Sequence, residues 1–427
     1  MKTVIMAGGK GTRIASIASD IPKPMIPIGG VPVLEHEIKQ LAEQGFDDII
    51  ITVSHLGSVI MDYFDDGSRF NVKIEYFFEE VPLGNAGALF QMKEKLTEDF
   101  LLLNADAIFD IDFKRFVEFH KSHGKAVTIF THPNNHPYDS GLIVTNEDGV
   151  VEQWLAKEDD RPEFYKNRVN AGLHVLSPEV LDLGIDTPTI DLDRQVLKPM
   201  VVKGEVMAYD SPEYVMDMGT PERYHKVEKD YNDGIVEAKN LARKQRAIFI
   251  DRDGTINEHI GFVRSADDIK ILPGVAEAIK KINESGRLAI VITNQPVIAR
   301  GEVTEEELWM MHNKIETLLG EEGAYLDGIY YCPHHPDKGF VGEIPELKIE
   351  CDCRKPKPGL ILRAAENFNI DLNNSWMIGD SENDVLAGKN AGCKTGLVAL
   401  DKSYGEDIKE ESLLEIINKI LSNKEEV

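Results

Sequence analysis

Three of the four cysteines in the 427-residue chain lie in one short stretch. Cys332, His334, Cys351 and Cys353 form a C-x-H pair, a 16-residue gap and a C-x-C pair. Four soft or borderline ligands are the number a closed tetrahedral zinc site takes. His335 is a second candidate for the histidine ligand. A disulfide is the competing reading, and a reducing compartment opposes it. A second group of residues suits phosphate chemistry. FIDRDGTIN places Asp251 and Asp253 one residue apart at the end of an apolar run, and Gly254 and Thr255 make a tight turn facing a cation. LAIVITNQ offers Thr293 and Asn294, CRKPKPG offers Arg354 and Lys355 in a proline-stiffened frame, and SWMIGDSENDV offers Asp380 and Asp384. A third group opens the chain. In AGGKGTR, Gly8, Gly9 and Gly11 let backbone N–H groups approach phosphate, and Arg13 adds a charge-assisted contact. PKPM then holds Lys23 between two prolines, which stiffen its loop. The glycine loop is neither a Walker loop nor a dinucleotide fingerprint.

These residues need elements to hold them. KTVIMAG, DDIIITV and DFLLLNAD read as buried strands, and LEHEIKQLAEQG reads as a helix with Leu34, Ile38 and Leu41 on one face and Gly45 as its stop. RAIFIDRDGT, LAIVITNQ and SWMIGDS read as strands ending in polar candidates, with GVAEAIKKINESG as a helix closed by Gly286. Alternating strands and helices imply two α/β domains with largely parallel sheets. Ligands of such sheets bind beyond the carboxyl ends of strands. Residues 221–246 are polar, expected to be helical, and look like a domain end plus connector. The division expected is 1–232, a linker at 233–246, and 247–427, which fits the prior of about 200 residues per domain.

Net charge is −27, with 23 basic and 39 acidic residues over positions 1–232 and 24 and 35 from position 233 onward. Both parts are acidic, which argues against nucleic-acid or anionic-membrane partners. Phosphate handling must then use local cations or metal ions. No apolar run approaches the ~20 residues of a membrane span, and the N-terminal run is too short for a signal peptide. The expectation is a cytoplasmic enzyme of small-molecule substrates, with a homo-oligomer possible and Cys393 an inert core thiol.

GGKGTRIASIASDIPKPM resembles the sugar-1-phosphate nucleotidyltransferase family. PLGNAGAL, the NAD of Asn104–Asp106, NAGLHVLS and MDMGTPERY resemble its later segments, in order, over about residues 1–230. The spacer is similar to that of the heptose-1-phosphate guanylyltransferase branch. The resemblance implies a Rossmann-like, glycosyltransferase-A-like domain. In it a sugar 1-phosphate attacks the α-phosphorus of a nucleoside triphosphate and pyrophosphate leaves, so positioning and charge neutralisation matter most. It implies Mg²⁺ on Asp106 and Asp217, a hard ion on carboxylates. It gives triphosphate contacts to Gly8, Gly9, Gly11, Thr12, Arg13 and Lys23, substrate contacts to Gly84 and Asn85, sugar phosphate to Lys157 and sugar to Asn170. Glu80 reads either as a base contact or as a surface acid. Ala105 and AKED depart from the family's usual glycine and E-K-P segment.

DxDGT, T-N-Q, a lysine and GDxxxD, over about residues 245–400, resemble the haloacid-dehalogenase-like phosphatases. The resemblance implies Asp251 as nucleophile, Asp253 as general acid and then base, and Mg²⁺ held by Asp251, the Asp253 backbone carbonyl and Asp380. Thr293, Asn294, Arg354 and Lys355 would contact substrate, and Asp384 would orient its loop. The zinc loop and IARG at 298–301 resemble the heptose-bisphosphate and histidinol-phosphate phosphatase branch, although Pro296-Val297 replaces its usual small pair. There zinc is structural.

The two resemblances interlock. A heptose 1,7-bisphosphate loses its C7 phosphate, and the heptose 1-phosphate left over accepts a nucleotidyl group, GMP favoured, which implies the α-anomer. The alternatives are a transferase of another sugar with UTP or CTP joined to a histidinol-phosphate-type phosphatase, or one inactive regulatory domain.

Overall fold

A computed structural model describes residues 1–8, 21–54 and 56–422. Two compact units emerge. The first comprises Met1–His132, Gly141–Ala156 and Val169–Asn240, and the second comprises Pro133–Ser140, Lys157–Arg168 and the chain from Leu241 onward.

In the first unit the strand Thr3–Met6 runs parallel to Asp48–Val53 on one side and to Phe100–Asn104 on the other. These apolar runs are buried on both faces, and Val4 and Ile5 are wholly inaccessible. The helix Val33–Gln44 buries Leu34, Ile38 and Leu41, and Gly45 ends it in the left-handed region at φ 85°, where glycine carries no Cβ penalty. The expectation of a largely parallel sheet fails here, because Val169–Leu176 is antiparallel both to Phe100–Asn104 and to Val127–His132. The physical reason is connectivity. Strands Val127–His132, Leu142–Thr145, Val151–Leu155 and Val169–Leu176 follow one another with no helix between them long enough for a parallel crossover. A two-stranded ribbon, Ala107–Asp110 against Tyr214–Asp217, sits off this sheet. Of the polar 221–246 stretch, Pro221–Asn232 and Ile235–Ala238 are helical and the remainder is not.

The second unit is the parallel sheet the sequence implied. Its described strands run Gly328–Cys332, Leu288–Asn294, Ala247–Ile250, Trp376–Gly379, Lys394–Val398 and Ile408–Glu410 across the sheet, all parallel. Alternate residues feed opposite faces. Ile248 and Ile250 join one apolar layer with Ile279 and Ile282, while Ala247 and Phe249 join another with Leu360 and Ile361. The segments Pro133–Ser140 and Lys157–Arg168 pack on the helix Glu305–Glu321 of this unit. Glu316 accepts from the Asn167 amide at 2.9 Å and pairs with Arg168 at 3.2 Å, and both side chains are buried. Among the described residues, no helix is long and apolar enough to cross a membrane.

Candidate active sites and metal-ligand cluster

Asp251 follows the strand Ala247–Ile250, and its Oδ1 lies 2.6 Å from Lys355 Nζ. Lys355 is equally close to Asp384 and also donates to the Ile292 carbonyl at 2.8 Å. Asn294 grips the lysine backbone from both sides, accepting from its N–H at 3.0 Å and donating to its carbonyl at 3.2 Å. Burial works against charge on Lys355, yet Asp251 and Asp384 hold its ammonium above the ordinary range. Asp251 moves the other way. Burial and then Asp384 push its carboxyl above the usual carboxylate range despite Lys355. Carboxylate oxygens of Asp251, Asp380 and Asp384 lie within 4.8 Å of one another. Such crowding of hard anionic oxygens fits a divalent cation such as Mg²⁺. Two glycines make the crowding possible. A Cβ on Gly254, at φ +91°, would stand 2.2 Å from Asp380 Oδ2, and one on Gly379 would stand 2.3 Å from Asp384 Cγ. Asp384 also accepts from the Ser381 amide and hydroxyl, capping the helix Glu382–Ala391, so it orients its loop and faces the lysine too.

Asp253 is held differently. Arg252 Nε and Nη2 donate to its two oxygens at 3.1 and 2.9 Å, and Asn257 and Gln295 each add a contact at 3.0 Å. Burial alone would raise this carboxyl, but these partners outweigh it and hold it below the usual carboxylate range. In this arrangement Asp253 is an acceptor, and giving a proton to a leaving oxygen requires it to loosen from Arg252. Arg252 is fully buried and reaches Gln295 and His312 as well. Sequence reading passed over it, although a charged residue between two site carboxylates at the end of an apolar strand was the available signal. Thr293 is buried and accepts from Gln295 at 2.8 Å, and Arg354 donates to the His334 carbonyl at 3.4 Å.

The cysteine question is answered by spacing in space. The Cys332, Cys351 and Cys353 sulfurs are 3.2–3.6 Å apart, and His334 Nδ1 is 3.3 Å from Cys353 and 3.8 Å from Cys332. All are free thiols, far beyond the ~2.05 Å of an S–S bond. A tetrahedron with bonds of about 2.3 Å has edges near ~3.7 Å, so the cluster could bind zinc. His335 instead turns its Nδ1 to the Asp337 amide. Cys393 is buried, and burial pushes its thiol up to about 12, in keeping with an unreactive core position.

In the first unit, Lys23 Nζ meets Asp106 Oδ2 at 2.6 Å. The Asp106 carbonyl accepts from the Met218 amide at 3.2 Å, so the ribbon sets Asp217 beside Asp106. Burial would raise Asp217, but Arg223, the Gly219 amide and Lys23 hold it low. Arg223, 2.7 Å from Asp217, was not foreseen. Nor was Glu37, a buried carboxyl whose two oxygens have no hydrogen-bond partner among the described residues. Asn170 accepts from the Gly172 amide, and a Cβ on Gly172 would stand 2.4 Å from Asn104 Nδ2, so the NAG and NAD segments touch. Gly84, at φ +80°, lies against the Ile190 carbonyl, and Asn85 accepts from the Leu192 amide at 2.7 Å, so both tie their loop to residues 190–192. Gly8 is backed by Ser54, which donates to its carbonyl at 2.7 Å, and by Glu79. Glu80 and Lys157 are exposed, and Lys157 groups with the second unit. Gly9, Gly11, Thr12 and Arg13 lie outside the described residues.

Fold and sites together define a nucleotidyltransferase joined to a haloacid-dehalogenase-like phosphatase. The chain belongs to the nucleotidyl transferase family, whose model matches residues 2–234, and a HAD-hydrolase-like model matches residues 352–419. It is 43% identical over 170 residues to the D-glycero-beta-D-manno-heptose-1,7-bisphosphate 7-phosphatase of Pasteurella multocida, across 39% of this chain and 89% of the relative. It is 34% identical over 230 residues to the mannose-1-phosphate guanyltransferase of Candida albicans, across 52% of this chain and 62% of that relative's length. A crystal structure of HddC from Yersinia pseudotuberculosis overlays 54% of this chain and 99% of that one, at 27% identity and a TM-score of 0.47.

Proposed function

We propose that the chain carries out two consecutive steps toward a nucleotide-activated heptose in the cytoplasm. Residues 247–427 remove the C7 phosphate of a heptose 1,7-bisphosphate. Residues 1–232, joined to them through 233–246, transfer a nucleotidyl group, GMP from GTP, to the heptose 1-phosphate that results. The observation that carries this reading is the presence in one chain of a nucleotidyltransferase domain and a region 43% identical to nearly all of a heptose-bisphosphate 7-phosphatase. The product of one reaction is a substrate of the other kind of enzyme.

In the phosphatase, Asp251 attacks phosphorus, the ester oxygen leaves, and an aspartyl phosphate forms. Lys355 and Thr293 hold phosphoryl oxygens. Asp253, once loosened from Arg252 and protonated, gives that proton to the leaving oxygen and then takes one from the attacking water. Asp251, Asp380 and the Asp253 carbonyl would hold Mg²⁺, which offsets repulsion between an anionic nucleophile and an anionic substrate. Cys332, His334, Cys351 and Cys353 would hold a structural zinc that fixes the loop running into Arg354 and Lys355. In the transferase, Asp106 and Asp217 would hold Mg²⁺. Lys23 and Arg13, with the glycine loop, neutralise the triphosphate. Asn170 orients the sugar.

Asp251→Asn and Asp106→Ala separate the two activities. Each substitution is expected to abolish one reaction and spare the other, and loss of both from either change would defeat the two-site reading.

A further inference from the structure

The helix Glu305–Glu321 of the phosphatase unit is buried on two sides. Leu308, Met311, Ile315 and Leu319 enter an apolar layer of its sheet. His312, Glu316 and Thr317 are buried as well, and buried polar groups need hydrogen-bonding partners. Pro133–Ser140 and Lys157–Arg168 supply them. Both segments belong to this compact unit, although they lie inside the span matched by the nucleotidyl transferase model. They are stitched to each other. The Asn134 amide donates to Asn167 Oδ1 at 3.2 Å, Asn167 Nδ2 donates to the Asn134 carbonyl at 2.6 Å, and Arg161 donates to the Pro137 carbonyl at 2.7 Å. They close tightly on the helix. Thr317 Oγ1 accepts from the Tyr165 amide at 2.9 Å, and a Cβ on Gly320 would stand 2.8 Å from Pro137 Cγ. Glu316 lies at the centre, accepting from the Asn167 amide at 2.9 Å and facing Arg168 at 3.2 Å.

His312 stands one turn before Glu316, and residues four apart share a helix face. Burial and then the charge of Arg252 weaken proton binding by its ring, so Nε2 can accept. Arg252 Nη1 lies 3.5 Å from that nitrogen. The other Arg252 nitrogens hold Asp253 and Gln295. Contacts therefore run without a break from Arg168 to Glu316, along one helical turn to His312, and through Arg252 to Asp253. Arg168, Glu316, His312 and Arg252 are all buried, where linked polar groups reinforce one another.

We propose that Arg168 and Glu316 are positioning residues of the phosphatase. They set the helix so that His312 steadies Arg252, and Arg252 aims Asp253 at the leaving oxygen. The inference rests on the reading of Asp253 as general acid. Its consequence is that the phosphatase reaction depends on residues contributed from within the transferase sequence.

The test measures kcat/KM, which reports the steps up to departure of the ester oxygen, on heptose 1,7-bisphosphate, fructose 1,6-bisphosphate and p-nitrophenyl phosphate. The full chain is used as wild type, Glu316→Gln, Arg168→Lys, His312→Leu, His312→Gln, Asp253→Asn and the double variant Glu316→Gln/His312→Leu. Glu316→Gln keeps the side-chain shape and an acceptor for the Asn167 amide. It is expected to lower kcat/KM on the sugar bisphosphate on the order of 10-fold, a part of what an acid–base group contributes. Arg168→Lys keeps the charge but not the planar fork and should lose less. p-Nitrophenolate departs without a proton, so turnover of its ester should stay near wild type, which also reports a folded site. His312→Gln can still accept from Arg252 and should retain more activity than His312→Leu. The double variant should be no slower than His312→Leu alone, because residues acting in series are not additive. Equal losses on the sugar and nitrophenyl esters, or losses that multiply in the double variant, would overturn the inference. A Glu316→Gln variant with wild-type kcat/KM, beside an Asp253→Asn variant that loses it, would reject the inference alone. An Asp253→Asn variant that keeps its rate would reject the general-acid reading and the inference with it. Turnover of the fructose but not the heptose bisphosphate would reject the heptose reading, and the fructose values would then decide the inference.

Discussion

Arg252 and Asp253, adjacent in sequence, face each other as a two-point ion pair, with nitrogen–oxygen distances of 3.1 and 2.9 Å. The arginine has no exposed surface, so the pair fixes where the Asp253 carboxylate points. Asp253→Asn keeps the shape and an acceptor but cannot cycle a proton. Phosphatase kcat is expected to fall by roughly 10²–10⁴-fold, the usual worth of a positioned acid–base group, with nucleotidyl transfer unchanged. Steady-state assays of each reaction check this. A phosphatase that keeps its rate would remove Asp253 from the chemistry.

Arg168 and Glu316 are buried together, and Arg168 reaches the Leu326 and Asp327 carbonyls as well. Glu316→Ala strands a guanidinium away from water. Breaking one side of a buried pair costs about 3–5 kcal/mol, so the second unit should melt at clearly lower temperature in calorimetry. For the same reason a fragment beginning at Leu241, which lacks residues 133–140 and 157–168, is expected to be less stable than the same unit in the full chain.

The four-residue Cys/His cluster predicts one zinc per chain by elemental analysis. Cys353→Ala should lower the zinc content and the melting temperature of the second unit together, because ligand binding and folding are linked. Zinc content unchanged by this substitution would refute the assignment.

Glu37 is buried with no hydrogen-bond partner among the described residues, and burial, with Asp106 nearby, raises its carboxyl well above the ordinary value of 4.5. The native state therefore binds this proton more tightly than the unfolded chain. Its stabilising effect is full below the unfolded value and falls as pH rises from there towards the native value. Glu37→Gln removes the dependence. The variant should gain melting temperature over wild type at pH 8, by about 2 °C or more, and show a smaller gain at pH 5. A pH-independent difference would contradict the burial of an ionisable group there.

The clustered Asp251, Asp380 and Asp384, Lys355 and the four-residue Cys/His cluster were legible in sequence because each stands beyond the end of an apolar strand or in a short fixed-spacing motif. The strands themselves were legible because continuous apolar runs of four to seven residues have few other uses. The antiparallel part of the first sheet was not, since strand direction depends on connections rather than on the strand's own residues. Arg252 and Arg223 were missed for a related reason. A lone cation is ordinary on a surface, and only packing reveals that these are buried or facing a carboxylate. Asn85, read as a substrate contact, makes a bond to the Leu192 amide that no local pattern announces.

One chain is expected to perform both steps. The direct measurement is a mass-resolved endpoint assay with heptose 1,7-bisphosphate of each anomer, Mg²⁺, and GTP, ATP, UTP or CTP supplied separately. A GDP-heptose mass with GTP is expected, together with released phosphate and pyrophosphate. Phosphate without any nucleotide sugar would contradict the transferase role, and the absence of both products would contradict the heptose assignment altogether.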